Sequence, residues 1–300
     1  MEAIECSNKN KLFDFVHHQI IPIFMGMTHT LVENALFYQA AVLFNFGYDY
    51  LVLSLLHVFR RVEMEPKVSI IIPFYNCSYV DQAIQSALNQ TYPNIEIIVV
   101  DDGSTKYTEK LKPFQGEFYY LKKENGGTAT ALNLGVSIAS GEYIAWLSSD
   151  DYFLPDKIAH QIAFMQKHKA KASFTNYDYV DKNNNILISW TCPRFSNVRE
   201  VYEAFLRVNP VNGCTVVMEK DIFDQIGYFN PDMRYTHDYD MWFRMILHGF
   251  PIHYLDEVLL KFRSHEEAGT KKYQPQIKAE IDFLNNKYRP LLREYINDYF

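Results

Sequence analysis

The sequence predicts an α/β protein: an open, mostly parallel sheet flanked by helices and preceded by an N-terminal helical segment. Three observations carry this. Short β-branched runs alternate with helix-length stretches from Lys67 onward. Acid-rich or glycine-rich loops follow directly after those runs. The first 65 residues have a different, aromatic-rich texture, so the boundaries drawn are 1–65 for the helical segment, 66–270 for the α/β domain and 271–300 for a C-terminal helical extension.

Val68 to Ile72 is a continuous apolar run halted by Pro73, as expected of a strand buried on both faces. A helix over Val80 to Asn89 and a second strand, Ile95 to Val100, follow; the strand delivers Asp101-Asp102-Gly103-Ser104. A short strand near Phe118 to Leu121 leads into Glu124-Asn125-Gly126-Gly127, where glycine admits backbone shapes closed to other residues. Thr128 to Ala139 reads as a helix closed by Gly141, and Tyr143 to Leu147 as a strand that ends in Ser148-Ser149-Asp150-Asp151. Pro155 suits the first turn of a helix reaching about His168. Such alternation is the signature of a sheet with crossover helices, and ligands of these sheets bind beyond the carboxyl ends of the strands. Both acidic clusters fall there.

The second half is less regular. Ala172 to Val180 and Ile186 to Trp190 read as a hairpin across Asp181 to Asn185, and Val211 to Met218 as a further strand. Asp238 to His248 reads as a helix, and Ile277 to Tyr299 as a C-terminal helix kinked or broken at Pro290.

Composition narrows the function. With 48% hydrophobic residues the 300-residue chain can bury a sizeable core, and its net charge of −7 offers no basic field for nucleic acid. Four scattered cysteines without a CxxC pair argue against a zinc site or a disulfide framework and fit a reducing, cytoplasmic setting. Glu2 and Glu5 stand where a secretory signal would be basic, so export is not expected. Residues 13–59 are apolar but broken by His17, His18, Pro22, Glu33 and Asp49. They read as amphipathic helices packed on the main domain or on a second copy of the chain, with peripheral membrane contact kept open by Arg60-Arg61. No GxGxxG, Walker loop or HExxH occurs, which removes the usual routes to dehydrogenase, NTPase and zinc peptidase.

A carboxylate at Asp101 or Asp102 can accept from a nucleobase N–H or a ribose hydroxyl, though Asp-Gly is also a common turn dipeptide. Asp150 and Asp151 suit a hard divalent cation and serve equally as a solvated loop with a helix cap. The order of the pieces adds what neither has alone. Val68 to Asn76, Ser86 to Pro93, Val99 to Ser104, Asn125 to Gly127 with Ala131 to Gly135, and Ala139 to Ile144 leading into the acidic pair resemble, in series, glycosyltransferase family 2. The resemblance covers about Lys67 to Ser264.

It implies the type-A nucleotide-sugar fold and an inverting transferase moving a sugar from a nucleotide-sugar donor, UDP being the family's commonest nucleotide, to a saccharide, glycan or lipid-linked saccharide acceptor. Asp101 would face the nucleobase with Pro73, Tyr75 and Asp102 nearby; Asp150 would touch the ribose or the metal, and Asp151 the metal, Mn²⁺ or Mg²⁺. Ser148 departs from the family's Asp-x-Asp pattern, which puts metal affinity or metal choice in question. Asp238-Tyr239-Asp240 resembles the catalytic-base helix and makes Asp238 the general base, its ionised form favoured at a helix start. Phe262-Arg263-Ser264-His265 resembles the segment whose His can approach the metal or the diphosphate. Two rivals follow from the same residues: a catalytically inactive nucleotide-sugar-binding or scaffold protein, favoured by Ser148, and a nucleotidyltransferase, for which no basic glycine-rich phosphate loop is found.

Overall fold

The computed structural model describes residues 65–300, and the helical segment expected over 1–65 lies, but for Glu65, outside them. In chain order the first half contains β1 (Val68–Phe74), α1 (Val80–Leu88), β2 (Ile95–Asp101), a 3-10 helix (Thr108–Phe114), β3 (Tyr119–Lys122), α2 (Thr128–Ile138), β4 (Tyr143–Trp146), β5 (Tyr152–Phe153) and α3 (Lys157–His168). The second half adds β6 (Ala172–Val180), β7 (Ile186–Ile188), α4 (Val198–Phe205), a 3-10 turn (Gly213–Thr215), β8 (Val217–Glu219), α5 (Asp221–Ile226), α6 (His237–Leu247), β9 (Ile252–Arg263), α7 (Gly269–Lys272) and α8 (Gln274–Tyr299). One sheet runs through both halves in the order β3-β2-β1-β4-β8-β6-β9-β5, with β7 added on β6.

Strands β3, β2, β1 and β4 are parallel. Beyond β4 the sheet is mixed: β8 is antiparallel to both neighbours, β6 and β9 pair in parallel, and β5 and β7 are antiparallel to their partners. The mostly parallel sheet expected from the sequence is thus parallel throughout its first half and mixed beyond β4. Alternation along β1 explains its unbroken apolar run. Ile70, Ile72 and Phe74 enter a core with α1 and α3, whereas Ile71 enters the opposite core with α2, α6 and α8. Both faces are covered, so no polar face is required.

Strand β1 passes through Pro73 to Phe74 instead of stopping at the proline. Pairing with β4 ends at Ile71–Trp146, while pairing with β2 continues to Phe74–Asp101. Pro73 lies where only one side of the strand is still laddered, so its missing N–H costs no sheet bond. The expected strand over Val211 to Met218 is interrupted by the 3-10 turn, because Asn212 Oδ1 accepts from Cys214 N at 2.9 Å and starts a turn there. Helix α8 runs unbroken through Pro290, and Leu284, Tyr288, Leu292 and Ile296 form its buried stripe at a spacing of one turn. Residues 66–300, including α8, form one compact unit. Among the described residues no helix is long and apolar enough to cross a membrane.

Candidate active site

The site is built at the carboxyl ends of the parallel strands. Asp101 closes β2 with its side chain fully buried. Its carboxylate accepts from Ser104 N at 2.6 Å and from the Tyr120 hydroxyl of β3 at 2.6 Å. Tyr75, just past β1, is 53% exposed, while Pro73 beneath it is buried and paired in register with Val100. These residues form one wall at the ends of β1 and β2, the place expected for a nucleobase.

Asp102 faces the other way. Its two oxygens accept from Lys123 Nζ (2.6 Å), Asn125 Nδ2 (3.1 Å), Gly126 N (3.0 Å) and Gly127 N (2.8 Å). Its carboxylate, expected beside the nucleotide, is thus occupied in holding the glycine loop. Gly103 has φ +80, and a Cβ there would lie 2.9 Å from Asn125 N, so glycine is what lets the two loops touch. Asp102 is buried and Lys123 partly buried, and the pair has further hydrogen bonds, the condition under which a buried charge is retained.

The second acidic cluster follows β4. Asp150 is partly exposed, and its Oδ2 lies 3.0 Å from His265 Nε2. Two residues 115 positions apart in sequence therefore meet. Asp151, expected as a second metal ligand, is fully buried instead: Oδ1 accepts from Arg263 N at 2.8 Å and Oδ2 has no hydrogen-bond partner. Burial first, and the neighbouring Asp150 charge second, push its carboxyl well above the usual range. It sits behind the site and ties β9 to the loop. Ser148, where the family places an Asp, makes a 3.1 Å contact with the buried Cys214 Sγ.

Arg263, singled out only as part of the His265 segment, emerges as the strut of this corner. It is 1% exposed, donates from Nε to Asp150 O at 2.7 Å and from Nη2 to Gln82 Oε1 at 2.8 Å, and lies over the Tyr79 ring at 4.3 Å. The Tyr79 ring in turn packs 5.2 Å from His265. Nothing in the sequence marks Tyr79, Gln82 or Cys214 for this role, because each is brought there by a different element.

Among the described residues no three His, Cys, Asp or Glu side chains converge on one point as ligands. Asp150 and His265 nevertheless form an oxygen–nitrogen pair on the open side of the strand ends. Two protein ligands with the rest left to water and phosphate oxygens is the arrangement Mg²⁺ and Mn²⁺ tolerate well. The pair fits such an ion; Asp151, turned inward, does not complete it.

Helix α6 brings the third acidic site. Asp238 is half-buried in the first turn and accepts from backbone N–H groups at the helix start, Tyr239 N at 2.8 Å among them. Burial pushes its carboxyl up to about 6, and the negative charge of Glu280 adds to the effect. Asp240, two residues on, is committed elsewhere: Oδ1 accepts from the Tyr288 hydroxyl at 2.9 Å and Oδ2 from Arg244 Nε at 2.8 Å. His237 is buried between Trp146 (5.2 Å) and Phe229 (5.7 Å), and burial holds its imidazole down to about 4, hence neutral. Trp146 is the last residue of β4, so this packing sets the start of α6 beside the strand end that carries Asp150. A Cβ on Gly127 would come within 3.8 Å of Arg234, which brings the glycine loop to the same place.

A parallel sheet half with acidic ends at β2 and β4, continued by a mixed half and flanked by helices, defines an α/β class whose ligands bind beyond the carboxyl ends of the strands. Residues 69–227 match the glycosyl transferase family 2 model, and the chain belongs to that family. It is 39% identical over 235 residues to the uncharacterized glycosyltransferase RP339 of Rickettsia prowazekii, covering 76% of this chain and 74% of that one. It is 36% identical over 204 residues to the Escherichia coli UDP-Glc:alpha-D-GlcNAc-diphosphoundecaprenol beta-1,3-glucosyltransferase WfaP, covering 66% of this chain and 77% of that one. Among solved structures, S. aureus TarS 1-349 in complex with UDP-GlcNAc superposes with a TM-score of 0.56 at 21% identity, over 67% of this chain and 60% of that one. That likeness speaks for the fold alone. This chain spans 43% of another TarS chain and 35% of a glycosyltransferase of Rickettsia conorii.

Proposed function

We propose that the protein is an inverting glycosyltransferase that moves a sugar from a UDP-sugar to a hydroxyl of a lipid-linked saccharide. The observation that carries this reading is Asp238: a half-buried carboxylate with no cationic partner among the described residues, its carboxyl pushed up to about 6, at the helix start packed against the end of β4. A general base works best with a pKa close to the working pH, and this one is ionised yet still basic at neutrality. In a single displacement the acceptor oxygen bonds to the anomeric carbon as the bond from that carbon to the diphosphate oxygen breaks. The acceptor's proton passes to Asp238 and the electron pair leaves with the diphosphate.

The wall of Pro73, Tyr75 and Asp101 would hold the uracil, with Asp101 accepting from a ring N–H in competition with the Tyr120 hydroxyl and Ser104 N–H that hold it now. Asp102 would act through the glycine loop it braces. Asp150 and His265 would hold Mn²⁺ or Mg²⁺, which when bound offsets negative charge on the leaving diphosphate. Asp151 and Arg263 would keep β9, and with it His265, in place. The UDP-sugar donor and the polyprenyl-diphosphate-linked acceptor in the name of the E. coli relative support the choice of substrate class.

The test is acceptor-dependent release of UDP from UDP-glucose and UDP-N-acetylglucosamine, with a GlcNAc-diphosphopolyprenol and without it. Release that requires both substrates supports the proposal. Binding of UDP-sugars without release from any donor and acceptor pair would instead favour an inactive nucleotide-sugar-binding protein, the role that Ser148 suggests.

A further inference from the structure

Helix α8 lies along α6 and is joined to it by polar contacts that fall in sequence down one side. Glu280 Oε2 accepts from Tyr235 N (3.0 Å), Thr236 N (2.9 Å) and Thr236 Oγ1 (2.7 Å). The Tyr239 hydroxyl donates to Asn285 Oδ1 at 2.9 Å, and the Tyr288 hydroxyl to Asp240 Oδ1 at 2.9 Å. The Tyr288 ring also stacks on Phe243 at 5.1 Å. Leu284 and Leu292 bury the apolar side between them. The two residues gripped by Glu280 are the last before His237 and Asp238.

We infer that Glu280 is a positioning residue for the base: it fixes the entry into α6 and sets a negative charge beside Asp238. This rests on the reading of Asp238 as the base. Three donors converging on one carboxylate oxygen form a charge-assisted anchor, stronger than neutral hydrogen bonds of the same number. They hold Tyr235 and Thr236 at the point where the chain turns into the helix, and so fix the direction in which Asp238 leaves the backbone. A displacement of about 1 Å at a reacting group can cost on the order of 10²-fold in rate.

Among the described residues, the charged and titratable neighbours leave Glu280 as the charge from outside the helix that acts on Asp238. On α6 itself His237 is held neutral, and Asp240 is paired with Arg244 at 2.8 Å. In the preceding loop Arg234 lies against Gly127. From α8, Arg289 acts on Tyr239, whereas the Glu280 charge acts on Asp238 and opposes its ionisation. A like charge makes a carboxylate hold its proton more tightly, and hence makes it a stronger base.

Glu280→Gln and Glu280→Ala in the full chain separate charge from anchoring. An amide oxygen still accepts from Tyr235 and Thr236, so the Gln variant keeps the anchor and loses the charge. A carboxyl ¹³C titration of Asp238 reads its ionisation whether or not it is the base. In Glu280→Gln the midpoint is expected to fall below about 6 yet stay above 3.8, since burial, the larger cause, remains. The acidic limb of the kcat profile should move down in step, with the plateau reduced by less than about tenfold. Glu280→Ala should lose on the order of 10² in kcat with the donor KM unchanged. An unmoved Asp238 titration in the Gln variant, or an Ala variant with normal kcat, overturns the inference. A titration that moves while the rate profile keeps its limb upholds the Glu280 contact but removes Asp238 as the base.

Discussion

Asp238→Asn should stabilise the protein at neutral and alkaline pH while abolishing transfer. The carboxyl of Asp238 holds its proton up to about pH 6 in the folded protein, against an ordinary value of 3.8. Between these two values the folded state binds more protons than the unfolded chain, so stability falls as pH rises through that window, and above about pH 6 the full penalty is present. A shift of roughly two units corresponds to about 3 kcal/mol at about 1.4 kcal/mol per unit. The side chain is half-buried, and solvent screening brings the expected penalty to about 1–2 kcal/mol. Asparagine carries no charge and can still accept from the helix N–H groups, so the variant should be about 1–2 kcal/mol more stable than wild type at pH 8. At pH 3.5, where Asp238 is protonated in the folded state and mostly protonated in the unfolded chain, the difference should shrink to a few tenths of a kcal/mol. Urea denaturation of both proteins at the two pH values measures this, and UDP release measures turnover, which should drop by about 10²- to 10⁴-fold with donor affinity unchanged. Equal stability at pH 8 would refute the buried-charge argument. Near-normal turnover would refute the base and turn attention to Asp240, whose two oxygens are engaged by Tyr288 and Arg244.

Asp101→Asn leaves one oxygen to serve Ser104 and Tyr120, and should weaken UDP binding about tenfold or more, read as a smaller UDP-induced rise in Tm; an unchanged rise would take Asp101 out of the nucleotide wall. His265→Ala should remove the Mn²⁺-dependent part of that rise and spare the metal-independent part, whereas an unaltered Mn²⁺ effect would exclude His265 as a ligand. Glu96 is opposed by burial, yet hydrogen bonds from Ser69 and Ser140 and the Lys67 charge hold its carboxyl down to about 2 from 4.5. Its contribution is fully present above pH 4.5 and is lost as pH falls toward 2, so Glu96→Gln should cost about 2–3 kcal/mol at pH 7 in urea denaturation and nothing near pH 2.

The first half of the fold was legible because each central strand is buried on both faces and so reads as an unbroken apolar run. β9 is the longest strand in the described residues and carries His265 just beyond its end, yet no strand was expected there. Its sequence, from Ile252 to Arg263, includes His253, Asp256, Glu257 and Lys261, and its burial follows no simple alternation. The pairing with β6 shifts register between Thr175 and Tyr177, so no single period could run through it. β9 is a strand because β6 offers it a ladder, a tertiary cause that leaves little trace in local composition. Asp150 and His265 were likewise each marked by the family resemblance, but the Arg263 strut that sets them 3.0 Å apart draws on β9, α1 and the loop after β4 at once.

The same reasoning separates the two carboxylates of the first turn of α6. Asp238 and Asp240 share a helix terminus, and both would be favoured as anions by the dipole. What divides them is α8: Tyr288 reaches Asp240 and, with Arg244, saturates it, while the helix turn points Asp238 away from both. One carboxylate is engaged by Tyr288 and Arg244, and the other, without such partners among the described residues, has its carboxyl pushed up to about 6. A helix assigned from sequence to a separate extension thereby decides which aspartate is free to take a proton. If so, Tyr288→Phe should release Asp240 from one of its two partners and destabilise the α6–α8 contact by about 1–3 kcal/mol. It should leave the acidic limb of the kcat profile in place, because the group that titrates there is Asp238. A limb displaced in Tyr288→Phe but unmoved in Glu280→Gln would mean that Asp240, and not Asp238, governs the rate.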